Sequence, residues 1–465
     1  MKKILIAVFL LIVVFAFSSI LNFVPLDYSL FIQFQNTGKI YSDLKKVPFV
    51  NFVLSDEGLS FENYFINYIE NMGYKEGIDK EKFLRIFSKN VLFLSKGGEV
   101  VLDDTLSFDI NYYFDILRNL SKDSALIFET DNATEISSYF GKLLDEKVKV
   151  DDGVFFIGDF LYAKQFKDYY IISGSKTTLE YLISVYKNPE LQFSNVEKSI
   201  SSILEEDTWI CGYSKGSALK INLPFTVEDG NVKTEYLFFK GKVEDGVLRI
   251  QIHQKTNNYY KRNALVDDLM ENIPVLGNYF AGITVEDSKE ALKIIEPWVF
   301  TIESTDLTKF YNLAESLIEN STSTFYVVGD VDDSTSVSVA FLFKLSDGYE
   351  NIKKIFEKYL AKYDKIKDEW VINISKEFKL YFYEYEQFFV VSNIEKSYYA
   401  KKARVKKLMD IAAYNFLDRK RSYDVKVFLD IGDLVYKFLG IRINSKVIFW
   451  QEKSGYFINY FLDIM

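Results

Sequence analysis

The chain has 465 residues, 48% hydrophobic and 26% charged. That is long enough for two ordinary cores and too apolar for wholesale disorder. A net charge of −10 argues against nucleic acid as a partner, since affinity for a polyanion comes mainly from Lys and Arg neutralising phosphates. A single cysteine, Cys211, excludes an intramolecular disulfide. A single histidine, His253, removes most metal sites and acid–base relays, so no metal and no cofactor is expected.

Met1-Lys2-Lys3 precedes Ile4–Phe17, fourteen residues without a polar side chain, the charged and apolar regions of a secretory signal. The apolar character runs on to Val24, about 21 residues in all and enough for one membrane span. A cleaved signal and a retained anchor both stay open, and residues 1–24 are expected to be the anchor. The two lysines would remain cytoplasmic. The body then lies outside, in the cell envelope, touching the cytoplasmic membrane through residues 4–24.

Asp27–Phe34 alternates like a half-buried strand, and Lys39–Val47 has helical spacing stopped by Pro48. Pro25 and Pro48 are 23 positions apart, as are Pro274 and Pro297, and the chain has only six prolines. Each pair brackets a strand-like run followed by a helix-like one, the firmest sign of a doubled unit. Glu57–Asn90 reads as an inserted helical stretch. Strands are expected around Asp103-Asp104 and again around Asp332-Asp333. Ala125–Leu144 and Val339–Leu360 each read as a strand running into an amphipathic helix. Asp152–Leu182 and Glu369–Tyr399 then match as strand, turn, aromatic strand, β-run and helix start. Hairpins are expected at Tyr236–Ile252, turning at Glu244-Asp245-Gly246, and at Val447–Leu462, turning at Lys453-Ser454-Gly455. The expected class is therefore α+β: two tandem divergent repeats, 25–258 and 274–465, joined by 259–273. Each would be a mainly antiparallel sheet with helices on one face, behind an N-terminal membrane helix.

Gly212-Tyr213-Ser214-Lys215-Gly216 fits the G-x-S-x-G nucleophile elbow, with Asp245 and His253 following in triad order. The second copy has Phe428–Gly432 there, keeping the glycine and losing the serine, which points to turn punctuation. Ser173–Lys176 and Ser42–Lys45 fit S-x-x-K, without the S-D-N or K-T-G that acylating enzymes add. Asp330–Ser334 starts like a calcium loop but has Thr335 and Phe341 where Gly and Glu are needed. Cys211, in a β-like run, reads as a small buried residue. The aromatic run Tyr381–Phe389 would line an apolar cavity or, more simply, build a strand core. Segment 396–421 is the one basic cluster, with Val405, Leu408, Met409, Ala412, Phe416 and Leu417 as an apolar helical face. It offers a membrane-surface or protein contact. No catalytic, cofactor-binding or metal residue is assigned.

The apolar N-terminus, Pro25-Leu26-Asp27-Tyr28 opening a strand, and a helix ending before Pro48-Phe49 resemble the start of a bacterial envelope family, domain of unknown function 3352. The resemblance implies no activity or catalytic residue. The expected function is a membrane-anchored, extracytoplasmic, non-enzymatic binding or scaffolding protein. The alternatives are a carrier of lipid or another apolar ligand, and a serine hydrolase using Ser214.

Overall fold

The computed structural model describes residues 20–465 apart from 78, 80, 82–84, 86–87, 98–99, 103–121, 131, 205–207, 217, 222–231, 262–272, 278, 285–314, 318, 334–335, 346–348, 359–361, 374–378 and 404–423. The chain divides into two compact units. One draws on Met1–Lys46, Val53–Asn222 and Thr234–Asp245, the other on Val47–Phe52, Leu223–Lys233 and Gly246–Met465.

The first unit contains β1 (Leu30–Phe34), β2 (Val91–Ser95), β3 (Val100–Leu102), β4 (Ser124–Glu129), β5 (Val148–Asp151) and β6 (Val154–Ile157). It continues with β7 (Leu161–Phe166), β8 (Tyr169–Ser173), β9 (Ile210–Lys215), β10 (Leu219–Ile221) and β11 (Thr234–Glu244). Across the hydrogen bonds the order is β11-β9-β1-β2-β4-β8-β7-β6-β5, antiparallel throughout. β3 and β10 form a separate parallel pair. β8, Tyr-Tyr-Ile-Ile-Ser, is apolar until its last position, the pattern of a strand covered on both faces. Tyr169 and Ile171 pack with Leu179 and Leu182 of the helix Lys176–Lys187. Tyr170 and Ile172 pack on the other side with Ile136 and Phe140 of the helix Ala133–Leu144.

The second unit contains β12 (Val247–Tyr260), β13 (Tyr279–Thr284), β14 (Ser321–Asp333), β15 (Ser336–Leu345) and β16 (Lys362–Asp364). β17 (Glu369–Asn373), β18 (Lys379–Tyr385), β19 (Phe388–Ser392), β20 (Val425–Leu429) and β21 (Val447–Ile464) complete it. The order is β12-β21-β20-β13-β14-β15-β19-β18-β17-β16, again antiparallel. β21 doubles back on itself. Lys446 and Met465 exchange both backbone hydrogen bonds, and Gly455 takes a left-handed φ of 61° between them. β19, Phe-Phe-Val-Val-Ser, is the counterpart of β8 here. Phe388 and Val390 share a core with Tyr399 and Ala403 of the helix Lys396–Ala403. On the opposite face Phe389 meets Phe356 of the helix Tyr349–Lys358, whose ring also contacts Trp370 and Phe382 at 5.6 and 4.7 Å.

The α+β class with two tandem repeats, one helical face and a membrane helix is corrected on each count. Nineteen strands in antiparallel ladders dominate, against ten α-helices, among the described residues. Long arms such as β12, β14 and β15 put the aromatic alternation into sheet. Helices cover both faces of β8 and of β19, because continuous apolar runs leave neither face for water. The units are interleaved in sequence rather than tandem, with Val47–Phe52 belonging to the second. Their sheets share a strand order, β12 apart, yet β9 leads into β10 while β20 leads into the helix Ile431–Leu439.

No helix of the described residues is long and apolar enough to cross a membrane. Of the expected anchor, residues 1–19 lie outside the described residues. Ile20–Phe23 forms a single 3-10 turn with Ile20, Leu21 and Phe23 buried in the protein core, Phe23 against the rings of Tyr169 and Tyr186. The helix expected over Lys39–Val47 runs Thr37–Leu44 and ends before Pro48, which opens a further helix, Pro48–Leu54, where its missing N–H costs nothing. The turns at Asp103-Asp104 and Leu106–Ile110, the connector core 262–272 and the helix before Pro297 lie outside the described residues.

Replacing the fully buried Phe356 by Ala removes the partner of Trp370, Phe382 and Phe389. Urea unfolding should show a loss of about 3–5 kcal/mol, well above that for a surface change such as Lys353→Ala.

Candidate functional site

Each half of the G-x-S-x-G motif has a packing reason. Gly212 sits opposite Phe239 in the β11–β9 ladder, and a Cβ there would lie 2.5 Å from the Phe239 ring and 2.7 Å from the Phe31 carbonyl. Gly216 ends β9 in a left-handed turn, φ 60°. Ser214, between Leu30 and Leu237, is fully buried, and among the described residues its hydroxyl has no hydrogen-bond partner, so no described base is placed to activate it. His253 lies on β12, where its Nδ1 is 2.8 Å from Asn459 Oδ1 on β21. Asp245, with φ 53°, and Gly246, with φ 77°, are two left-handed residues in the turn that follows β11. Cys211 is buried, 3.7 Å from Gln33 Oε1. Gly432 is not a turn glycine. It sits in the first turn of the helix Ile431–Leu439, where a Cβ would meet the Ile443 carbonyl at 2.2 Å.

Both S-x-x-K serines serve the backbone. Ser173 Oγ donates to the Ser124 carbonyl at 2.7 Å and accepts from the Ser175 N–H. Ser392, at the same place in the second unit, donates to the Val339 carbonyl and accepts from the Ile394 N–H. Ser42 Oγ donates to the Lys39 carbonyl in its own helix, and Lys45 pairs with Glu62. The aromatic run is packing on two sides. Phe382 and Phe389 meet Phe356, while Tyr383 lies 5.8 Å from Tyr399. Burial pushes the Tyr383 and Tyr399 hydroxyls far above the ordinary tyrosine range, so both stay neutral.

The calcium-loop start resolves into an ionic knot instead. Asp330, on β14 and almost buried, is held at 2.8 Å by Lys402 Nζ on one oxygen and by Lys437 Nζ on the other. Lys437 also pairs with Asp433, one turn earlier, at 2.8 Å. Burial works against the Lys437 ammonium, but its two carboxylate partners overcome that and raise its pKa. Gly277 makes room: a Cβ there would sit 2.2 Å from Asp330 Oδ1. No spacing in the sequence announces this knot, since Lys402 and Lys437 are 72 and 107 residues away. Among the described residues no group of His, Cys, Asp and Glu side chains could hold a metal ion. Of the basic segment 396–421, only Lys396–Ala403 is described, as a helix with Lys402 turned to Asp330 and Lys401 exposed.

A second electrostatic feature lies on the β12–β21 ladder. Asp463 pairs in register with Arg249, and burial pushes its carboxyl up to about 6, with the guanidinium 3.8 Å away pulling it back. Compared with known proteins, the chain matches no family model, no curated protein and no solved structure.

Asp330→Asn leaves two lysines facing a neutral amide and should cost about 3 kcal/mol. Gly277→Ala, which displaces the same carboxylate, should cost much the same. The two together should cost far less than their sum in a double-mutant cycle read by urea unfolding.

For Asp463 the folded pKa lies above the unfolded value of 3.8. The folded chain therefore takes up a proton that the unfolded chain does not, and stability rises as pH falls through 6. Glu369, raised by burial, acts in the same direction. Glu62 and Asp368, lowered by Lys45 and Lys396, lose their contribution only as pH falls through their depressed values. The urea midpoint should be higher at pH 5 than at pH 7.5, and the difference should shrink in Asp463→Asn.

Proposed function

We propose that the chain is a non-enzymatic binding or scaffolding module working outside the cytoplasm, behind the secretory-signal pattern of Met1–Phe17. One observation carries the reading: Ser214, the serine of the G-x-S-x-G motif that Asp245 and the sole His follow, is buried in the sheet and its hydroxyl has no hydrogen-bond partner among the described residues. A nucleophile needs a base within hydrogen-bond distance and open access to substrate. Further support is how the other reactive side chains are used. His253 is bonded to Asn459, Ser173 and Ser392 close strand ends, and Asp330 ties two helices together.

The carrier alternative asks the aromatic run to line a cavity, and those rings instead pack against one another on both sides of β19. A module of this kind acts through its surface, and its sheets serve to hold surface helices and hairpin tips in place.

The test is Ser214→Ala. Removing a buried hydroxyl that lacks a partner should leave the protein as stable as before or more so. A serine-reactive fluorophosphonate probe should label the wild type no more than the variant. Wild-type labelling at Ser214, lost in the variant, would overturn the reading.

A further inference from the structure

The helix Ile431–Leu439 is mounted inside out. Lys437 faces the sheet and meets Asp330, and Asp433, one turn earlier, pairs with the same ammonium. At 100° per residue the opposite side of the helix carries Ile431 and Val435, both half-buried, and Phe438 and Leu439, both exposed. An amphipathic helix normally turns such a stripe to the core; here Gly432 is its only buried residue. Phe438 is 52% exposed and Leu439 55%.

The cause is the knot at Asp330. A carboxylate almost out of water on β14 has to be neutralised, and Lys437 does this from the helix. That fixes the helix rotation and sends the C-terminal end of the apolar stripe, Phe438 and Leu439, outward. The same carboxylate holds Lys402, so the helix Lys396–Ala403 is tied beside it.

The surroundings suit one kind of surface. Tyr436 is exposed under the Arg442 guanidinium, 4.9 Å from its ring, and Arg442 itself is exposed. Lys401 is exposed on the neighbouring helix, and Tyr398 lies under Lys402. Of the nearby acids, Asp330 and Asp433 are bound to lysines, and the Asp430 carboxylate caps the helix start by accepting from the Asp433 N–H. What faces outward is therefore Phe, Leu and Tyr rimmed by Lys and Arg. That is the composition of a helix lying in the headgroup region of an anionic bilayer, with aromatic and aliphatic side chains at the acyl boundary and cations at the phosphates.

We infer that the second unit docks on an anionic membrane surface through the outward stripe of the helix Ile431–Leu439, with Arg442 and Lys401 at the headgroups. The inference rests on the binding-module reading and gives it a partner: a lipid surface, rather than a protein.

The test uses the full chain with a nitroxide at Leu439→Cys; Cys211 is buried and stays unlabelled. Because the apolar N-terminal run would bring the chain to any vesicle, the readout is local depth rather than binding. With vesicles of phosphatidylcholine and phosphatidylglycerol, oxygen should reach the label better than a neutral nickel chelate does. The preference should fade in phosphatidylcholine alone or at high salt. A label at Val150→Cys, an exposed site on β5, should stay water-like. A water-like label at 439, or lipid exposure at both sites, would overturn the inference. A label at 439 shielded from both quenchers would overturn it in favour of a protein partner and leave the binding-module reading standing. Labelling of Ser214 by the serine probe would remove that reading instead.

Discussion

β8 and β19 are buried on both faces, and the arrangement of each unit follows from that. A strand without a polar side needs a layer above and a layer below, because one exposed face would leave two or three large apolar side chains in water. In the first unit the helices Ala133–Leu144 and Lys176–Lys187 supply the two layers; in the second, Tyr349–Lys358 and Lys396–Ala403 do. The strand ends where it does because a serine closes it. Ser173 and Ser392 each bond a neighbouring strand's carbonyl and the backbone two residues on, which turns the chain into the next helix.

The same economy explains why local motifs mislead. G-x-S-x-G is satisfied here by a glycine that makes way for Phe239, a serine that fills a sheet interior and a glycine that turns the chain. S-x-x-K is satisfied by a strand-closing hydroxyl. In each case the residue types are those the chemistry would need, but the geometry directs their polar atoms at backbone groups or leaves them sealed. A motif fixes which atoms are present; access and partners depend on the layers around them.

The Asp330 knot shows a polar interaction setting a surface. Its three charged groups come from a strand and two helices, and its stabilising effect is modest against the cost of burying them. Its larger consequence is orientation. By claiming Lys437 it fixes which side of the helix Ile431–Leu439 meets the sheet, and so which side meets everything else.

Much of the sheet was legible in the sequence. The strand around Tyr169–Ser173 was readable from its aromatic and β-branched run, the apolar face of Ala133–Leu144 from its spacing, and the turns at Asp245-Gly246 and Gly455 from their residue types. These follow from local rules, in which a residue's backbone preference and its neighbours within one turn or two strands decide the outcome. Three matters were left to the tertiary structure. Ile20–Phe23 reads as part of a membrane span, but becomes a core turn because Tyr169 and Tyr186 offer Phe23 a closer-packed environment. Helical cover on both faces depends on which layers arrive on each side, which periodicity along one strand does not encode. The Ser214 hydroxyl and the Asp330 knot depend on contacts between segments brought together only when the sheets close. The sequence by itself determined the strands and turns. Long-range packing decided which polar groups would be spent inside and which apolar ones left outside.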